Sequence, residues 1–150
     1  MRIAIGTDHR GFELKNGIKQ KIIRDDKGNE IQWVDVGCFS AESCDYPVEA
    51  KYVVDAIQSG DAQLGILLCG TGVGMAIAAN RFSGIYAALV WDVTTARLAR
   101  EHDVANVLVL PADFITLDQA CVMINTWLSS QFEGGRHKRR IDQIDSFGGL

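Results

Sequence analysis

Two patterns of apolar residues alternate along most of the chain. Short, continuous apolar runs predict buried strands at residues 2–7, 31–36, 63–69, 85–91 and 105–110. Between them, apolar positions recur every three or four residues, which predicts helices at residues 11–24, 47–59, 74–81, 94–101 and 117–132. Strands that alternate with helices favour a parallel sheet covered on both faces. We therefore predict an α/β fold, a doubly wound, Rossmann-like parallel sheet of five strands in three layers.

The length of the chain, 150 residues, predicts a single domain over residues 1–150, since no internal repeat or low-complexity linker divides it. In open parallel sheets, ligands bind beyond the carboxyl ends of the strands, near the point where the strand order reverses. The segments that follow the predicted strands are therefore where we look for chemistry.

Composition narrows the classes of function. The net charge of −4 gives no reason to expect nucleic acid or an anionic membrane as a partner. No apolar run is long enough to span a bilayer, and the first ten residues turn polar too soon for a signal peptide, so we expect a cytoplasmic protein. The four cysteines form no CxxC pair and have no histidine close by in sequence, which favours free thiols and no metal site.

The most informative segment is LGILLCGTGVGMAIAANR, residues 64–81. It predicts a buried strand that ends at Cys69, a turn containing Gly70, Gly72 and Gly74, and then a helix. Its glycine spacing fits neither the dinucleotide fingerprint nor the P-loop. A thiol beside the free N–H groups of a helix start faces a site that favours negative charge. The alternative is a glycine turn with a buried, inert cysteine.

Other polar residues lie where the same sheet edge or a helix end is predicted. Asp8 and His9 follow the first strand and should share the edge with Cys69, although Asp8 also suits a helix cap. His102 ends a predicted helix, where it either interacts with the helix dipole or acts in a site. Tyr46 precedes a helix and either packs in the core or lines a site.

A compact basic cluster follows the glycine pair at 134–135. It contains Arg136, His137, Lys138, Arg139 and Arg140 in a chain that is otherwise acidic. Such a run is usually a solvated helix face, but it also suits a phosphate, including one bound by a neighbouring subunit.

Together these segments resemble a known family. The motifs GTDHRGFELK, DYP, GILLCGTGVGMAIAANR, ARLAREH, ANVLVL and EGGRHKRR resemble those of the type B ribose-5-phosphate isomerases and the related galactose-6-phosphate isomerases. The resemblance covers residues 1 to about 145 without large gaps. The glycine loop combined with the GGRH tail is far more specific than a lone glycine motif.

The resemblance implies an aldose–ketose isomerase that acts on a sugar phosphate through an enediolate, without a metal or an organic cofactor. Ribose 5-phosphate and ribulose 5-phosphate, of the pentose phosphate pathway, are the first candidate pair. A hexose phosphate of the galactose 6-phosphate or allose 6-phosphate type, or an unphosphorylated aldose, is the alternative. A sugar-phosphate-binding protein without catalysis is an alternative of another class. The family also implies homodimers or homotetramers with sites between subunits, and we expect the tail, about 133–150, to pack against a partner.

Site residues follow from the resemblance position by position. Cys69 is the base that moves a proton between C1 and C2, Thr71 assists proton transfer among the oxygens, and His102 with Asp8 opens the sugar ring. The backbone N–H groups of Gly70, Gly72 and Gly74 hold the enediolate oxygens, and Tyr46 lines the sugar pocket. His9, Arg136 and Arg140 bind the phosphate.

Three positions depart from the family pattern. Asp103 stands where the family usually has Asn, and an ionised carboxylate repels a developing enediolate. Arg10 replaces a small or apolar residue in the substrate-binding region, and Pro111-Ala112-Asp113 replaces a Gly-x-Arg segment whose Arg holds phosphate. Since one arginine is gained and one lost near the same predicted pocket, we hypothesise that Arg10 pairs with Asp113 and restores positive charge from another direction.

Overall fold

The computed structural model describes residues 1–147, so the last three residues of the predicted tail, 148–150, lie outside the described part. The described strands are β1 (Arg2–Thr7), β2 (Gln32–Gly37), β3 (Leu64–Cys69), β4 (Ala87–Leu89) and β5 (Val107–Pro111). The described α-helices are α1 (Phe12–Lys21), α2 (Tyr46–Gln58), α3 (Val73–Ala79), α4 (Val93–Glu101), α5 (Leu117–Ser129) and α6 (Arg136–Ser146). A short 3-10 turn, His9–Gly11, leads into α1.

The five strands form one parallel sheet in the order β2-β1-β3-β5-β4, which confirms the predicted fold class. After β1 the chain moves to one side, to β2, and then returns past β1 to β3. The order therefore reverses between β1 and β3. All six residues of β3 are buried, as expected for the central strand, and each helix between strands returns the chain to the amino edge of the sheet.

Helices cover both faces of the sheet. Buried residues of α1, α4 and α5 pack on one face, where Trp127 is fully buried, and buried residues of α2 and α3 pack on the other. Side chains alternate between faces along β3, so Leu68 belongs to the first cluster and Cys69 to the second. Cys69 is thus aimed toward the side that α2 and α3 cover.

The elements differ from the sequence prediction mainly at their ends. The strand predicted at 85–91 is paired only over Ala87–Leu89, because β4 is an edge strand with β5 as its single neighbour. The helix predicted at 11–24 ends at Lys21, since Ile22 is extended and its carbonyl accepts the indole N–H of Trp33 at 2.8 Å. Capping boxes at Asp92 and Thr116 start α4 and α5 close to the predicted residues.

The tail forms α6 and packs against its own chain. His137 and Ile141 are its buried residues, and the Tyr86 hydroxyl donates a hydrogen bond of 2.6 Å to Asp145 Oδ1. These contacts put α6 beside the segment that enters β4. We also predicted that the tail packs against a partner subunit. The exposed face of α6 is available for such a contact, which stays a prediction. Within residues 1–147, no helix has both the length and the apolar character needed to cross a membrane.

Candidate active site

The ends of β1 and β3 bring the two predicted strand-end motifs together. Thr7 is the register partner of Leu68, and the backbone N–H of Asp8 donates to the Leu68 carbonyl at 3.2 Å. The segment containing Asp8 and His9 therefore lies directly beside Cys69. This confirms the expectation that both motifs share one edge, and it places them at the point where the strand order reverses.

Cys69 is 5% exposed, and its sulfur faces the glycine loop. The Gly72 N–H donates to Cys69 Sγ at 3.1 Å. Gly72 reaches this position with a φ of +79°, in the left-handed region that glycine tolerates, and it is the residue before α3. The thiol of Cys69 is thus an acceptor for a backbone donor at the residue before α3.

Tyr46 forms a wall of the loop rather than part of the core. It is 42% exposed, and a side-chain carbon at Gly74 would lie 2.7 Å from its ring, so Gly74 is needed for the two to approach. Thr71 is exposed between the glycines, and its hydroxyl accepts the Val73 N–H at 3.3 Å. Both side chains therefore lie at the glycine loop that follows Cys69.

Asp8 acts as a helix cap, which is one of the two roles that its position in the sequence allowed. Its Oδ1 accepts the N–H of Arg10 at 2.9 Å and of Gly11 at 3.4 Å, so it caps the turn before α1. It is 6% exposed. Next to it, Nδ1 of His9 is buried and has no hydrogen-bond partner within residues 1–147. A role for Asp8 in ring opening stays a prediction.

Arg10 and Asp113 form an ion pair, as we hypothesised. The pair lies across Gly70, where an added side-chain carbon would be 2.8 Å from both Arg10 Nε and Asp113 Oδ2. Asp113 also donates its backbone N–H to the Gly70 carbonyl at 3.0 Å. The carboxylate of Asp113 is therefore neutralised at the rim of the glycine loop.

The remaining predicted residues lie at the opposite edge of the sheet. His102 ends α4, and Asp103 follows it in the turn that leads to β5. Arg136 and Arg140 lie exposed on α6, which packs beside the same turn. Cys69 pairs in register with Pro111 at the far end of β5, so the length of that strand, about 13 Å, separates the two groups. A hydrogen bond spans only about 3 Å.

At this amino edge, His102 stacks on His137 with ring centroids 4.0 Å apart and an interplanar angle of 8°. Glu133 lies next to both rings, with its Oε2 at 3.9 Å from His102 Nε2 and 3.4 Å from His137 Nε2. Burial lowers the pKa of His137, and the neighbouring His102 and Arg136 lower it further, while Glu133 raises it. Sequence spacing alone did not single out Glu133, although Glu133 and His137 are four residues apart.

A cavity of about 890 Å³ also opens at the amino edge. Residues 80–88, Asp103 and the inner face of α6 line it, and Cys69 does not. This cavity is therefore next to the second group of predicted residues and not at Cys69.

Comparison with known proteins matches this arrangement to one family. Residues 3–144 match the family model described as Ribose/Galactose Isomerase. The chain belongs to this family.

Relatives in the Ribose/Galactose Isomerase family agree over nearly the whole chain. The ribose-5-phosphate isomerase B of Escherichia coli K12 is 41% identical over 143 residues, which are 95% of this chain and 93% of that protein. The ribose 5-phosphate isomerase of Thermotoga maritima has a crystal structure with a TM-score of 0.89 and 52% identity, covering 97% of each chain. The enzyme of Mycoplasma genitalium, with bound ribulose 5-phosphate, has a TM-score of 0.87 and 42% identity, covering 97% of this chain and 95% of that one.

Proposed function

We propose that this chain is an aldose–ketose isomerase that converts ribose 5-phosphate into ribulose 5-phosphate through an enediolate. The observation that carries the proposal is the Cys69 thiol at the carboxyl end of β3, with the Gly72 N–H donated to its sulfur. The Mycoplasma genitalium family member with bound ribulose 5-phosphate, 42% identical to this chain, supports the choice of substrate.

The reaction needs a base that takes a proton from one carbon and returns it to the next. The thiolate of Cys69 removes the proton from C2 of the open-chain aldose, and the electron pair moves through C1 to make the enediolate. The same sulfur then delivers the proton to C1. Thr71 moves the second proton between the two oxygens, while the backbone N–H groups of Gly70 and Gly74 donate to them. The N–H of Gly72, which we also expected to hold these oxygens, donates to Cys69 Sγ instead.

His102, together with Asp8, opens the ring of the bound sugar. Asp8 reaches the sugar from the side of β1. Arg136 and Arg140 bind the phosphate with their guanidinium groups, and neither has an ion-pair partner among residues 1–147. His9 contributes its unpartnered Nδ1 to the phosphate as well.

The active unit is a homodimer, or a tetramer built from such dimers, in which each site takes residues from two chains. Cys69 and His102 lie at opposite edges of one sheet, so a single chain does not bring them to one substrate. Exposed apolar side chains next to the glycine loop, Val73 at 50% and Ile77 at 64%, support a second chain on this side. The free thiols and the reaction class favour a cytoplasmic location.

Exchange of the C2 proton with solvent tests the role of Cys69. We expect Cys69→Ala to lose about 10²–10⁴-fold in the rate at which deuterium from solvent enters the sugar, since that is what a positioned base contributes. Cys121→Ala is the matched control, because Cys121 is also a buried thiol but lies on α5, on the other face of the sheet. Full exchange in the Cys69 variant would exclude this thiol as the base.

A substrate panel tests the specificity. Ribose 5-phosphate should give the highest kcat/KM among ribose 5-phosphate, allose 6-phosphate, galactose 6-phosphate and free ribose. A clear preference for a hexose phosphate would contradict the proposed substrate and would indicate that Arg10 and Asp113 select a different sugar.

A further inference from the structure

The cluster of His102, Glu133 and His137 has no role as a whole in the isomerisation. It joins two imidazoles and one carboxylate whose nearest nitrogen and oxygen atoms all lie within 4.8 Å of one another. Two histidines and a glutamate are one of the ligand sets that bind Zn²⁺ in proteins, leaving further coordination positions open.

Both separations from the carboxylate to the imidazole nitrogens are close to those that a metal ion requires. With bonds of about 2.0–2.2 Å in a tetrahedral arrangement, neighbouring ligand atoms lie about 3.3–3.5 Å apart. Glu133 Oε2 is 3.4 Å from His137 Nε2 and 3.9 Å from His102 Nε2. The first separation already fits, and the second needs a shift of about half an ångström.

Backbone hydrogen bonds hold the three proposed ligand residues in place. The Glu133 N–H donates to the Glu101 carbonyl at 2.9 Å, which ties the start of the tail to the end of α4, one residue before His102. His102 itself donates its N–H to Leu98 at 2.8 Å, and His137 donates to Gly134 at 3.1 Å. The backbone therefore needs little ordering when an ion binds.

An unsatisfied atom points to a missing ligand. His137 is 5% exposed, yet its Nε2 has no hydrogen-bond partner within residues 1–147. Buried polar atoms are rarely left without a partner, because the lost hydrogen bond to water is costly. The unpartnered nitrogen faces the carboxylate of Glu133, so an ion between them would satisfy both.

We propose that His102, Glu133 and His137 bind one divalent transition-metal ion of the Zn²⁺ type, and that the bound ion inhibits the enzyme by withdrawing His102 from the sugar. The rings are nearly parallel, so the half-exposed His102 rotates to direct its lone pair at the ion. Arg136 and Arg140 on the same helix oppose a cation and weaken the site. The inhibition, unlike the binding, rests on the proposed role of His102 in ring opening.

Calorimetric titration of the metal-free full chain with Zn²⁺ measures the binding. Wild type should bind one ion per chain, and Glu133→Gln and His137→Gln should each weaken it by at least tenfold, since even the loss of an outer-shell partner costs about 10–100-fold. Glu13→Gln is the matched control, because Glu13 is an exposed glutamate on α1 outside the cluster, and it should leave binding unchanged. Glu133 is about half exposed, so its variant is expected to fold even if the His137 variant does not.

Activity with and without Zn²⁺ separates the two parts of the proposal. Zn²⁺ should inhibit wild type and Glu13→Gln at concentrations at least tenfold lower than those that inhibit Glu133→Gln. Binding that persists in both cluster variants places the ion elsewhere, as at Cys69, and overturns the site. Binding that depends on the cluster but leaves activity unchanged supports the site and instead contradicts the role of His102.

Discussion

The guanidinium of Arg10 pairs with the carboxylate of Asp113 across the backbone of Gly70. The two residues that we expected to depart from the family pattern thus meet in one contact at the rim of the glycine loop. Arg10 is 57% and Asp113 30% exposed in their side chains, so the pair adds little to stability, and we expect its main effect to be on the charge next to the substrate.

Removing one partner of this pair should weaken substrate binding, and removing both should restore it. In Arg10→Ala the unpaired Asp113 repels the phosphate, and we expect KM for ribose 5-phosphate to rise about tenfold, equivalent to 1.4 kcal/mol. Arg10→Ala/Asp113→Ala should return close to the wild-type KM, because no charge is then left unpaired. If the double variant stays as weak as the single one, Arg10 binds the phosphate itself and does not merely neutralise Asp113.

The local chemistry of the carboxyl edge was predictable from sequence. An apolar run that ends at Cys69 and one that ends at Thr7 predict parallel strands, and parallel strands bring their ends to one edge. The shared edge rests on short segments whose direction is set by periodicity alone. The pairing of Arg10 with Asp113 instead depended on the family resemblance, which implied one arginine gained and one lost near the same pocket.

The division of the site between two edges was not predictable in the same way. The resemblance implied sites between subunits, but it did not say which residues come from which chain. His102 ends a helix, and a helix after a strand returns to the amino edge, so its distance from Cys69 became clear only in the folded chain. The cluster with Glu133 depends on how α6 docks on α4, which is decided by tertiary contacts such as Tyr86 with Asp145. The three paired residues of β4 depend likewise on its place at the sheet edge.

Mixing two inactive variants tests whether the site is shared. Chains carrying Cys69→Ala and chains carrying His102→Asn should each be inactive, and joint refolding should restore about a quarter of the wild-type activity. Random association gives half heterodimers, and each heterodimer has one intact site out of two. Cys69→Ala mixed with Thr71→Ala is the control, since both lie at the same edge and no intact site forms. Recovery in the control mixture, or none in the test mixture, would contradict a site built this way.

Gly72 should be needed for activity more than for folding. Substitution by Ala at a positive φ costs about 1–2 kcal/mol. Here the added carbon also clashes with the Leu89 side chain, which must shift, and the change displaces the N–H that is donated to Cys69. We expect Gly72→Ala to lower kcat at least tenfold, measured by the isomerase assay. Gly60→Ala carries the same backbone cost, with φ of +83° and no atom within 4 Å of the added carbon, and should keep full kcat. If kcat falls equally in Gly72→Ala and Gly60→Ala, the loss is due to lower stability and not to the missing N–H at Cys69.

A buried lysine makes the stability of the fold sensitive to acid. Lys15 is 1% exposed, and its Nζ donates to Asp35 Oδ1 at 2.7 Å and to the Cys38 carbonyl at 2.6 Å. Burial acts to raise the pKa of Asp35, but hydrogen bonds from Lys15 and Lys19 outweigh it and hold the pKa below its usual value. The ionised carboxylate therefore stabilises the folded state above about pH 4, and this contribution is lost as the pH falls through the lowered pKa.

Asp35→Asn should consequently lower the free energy of unfolding by about 3 kcal/mol at pH 7, because it leaves the Lys15 charge buried without its counter-ion. The difference from wild type should shrink as the pH falls below about 4. Urea unfolding at several pH values measures both. Asp118→Asn removes an exposed pair with Lys21 and should change stability by less than about 1 kcal/mol. A pH-independent difference would show that the charge of Asp35 is not the cause.

The distance between Cys69 and His102 in one chain has a consequence for how activity depends on protein concentration. If each site needs two chains, an isolated chain turns over no substrate, and dilution removes activity without unfolding anything. At chain concentrations far below the dissociation constant, the rate should rise with the square of the amount of protein, and above it the rate should become linear. A cell that makes little of this protein would therefore obtain much less than a proportional share of its activity.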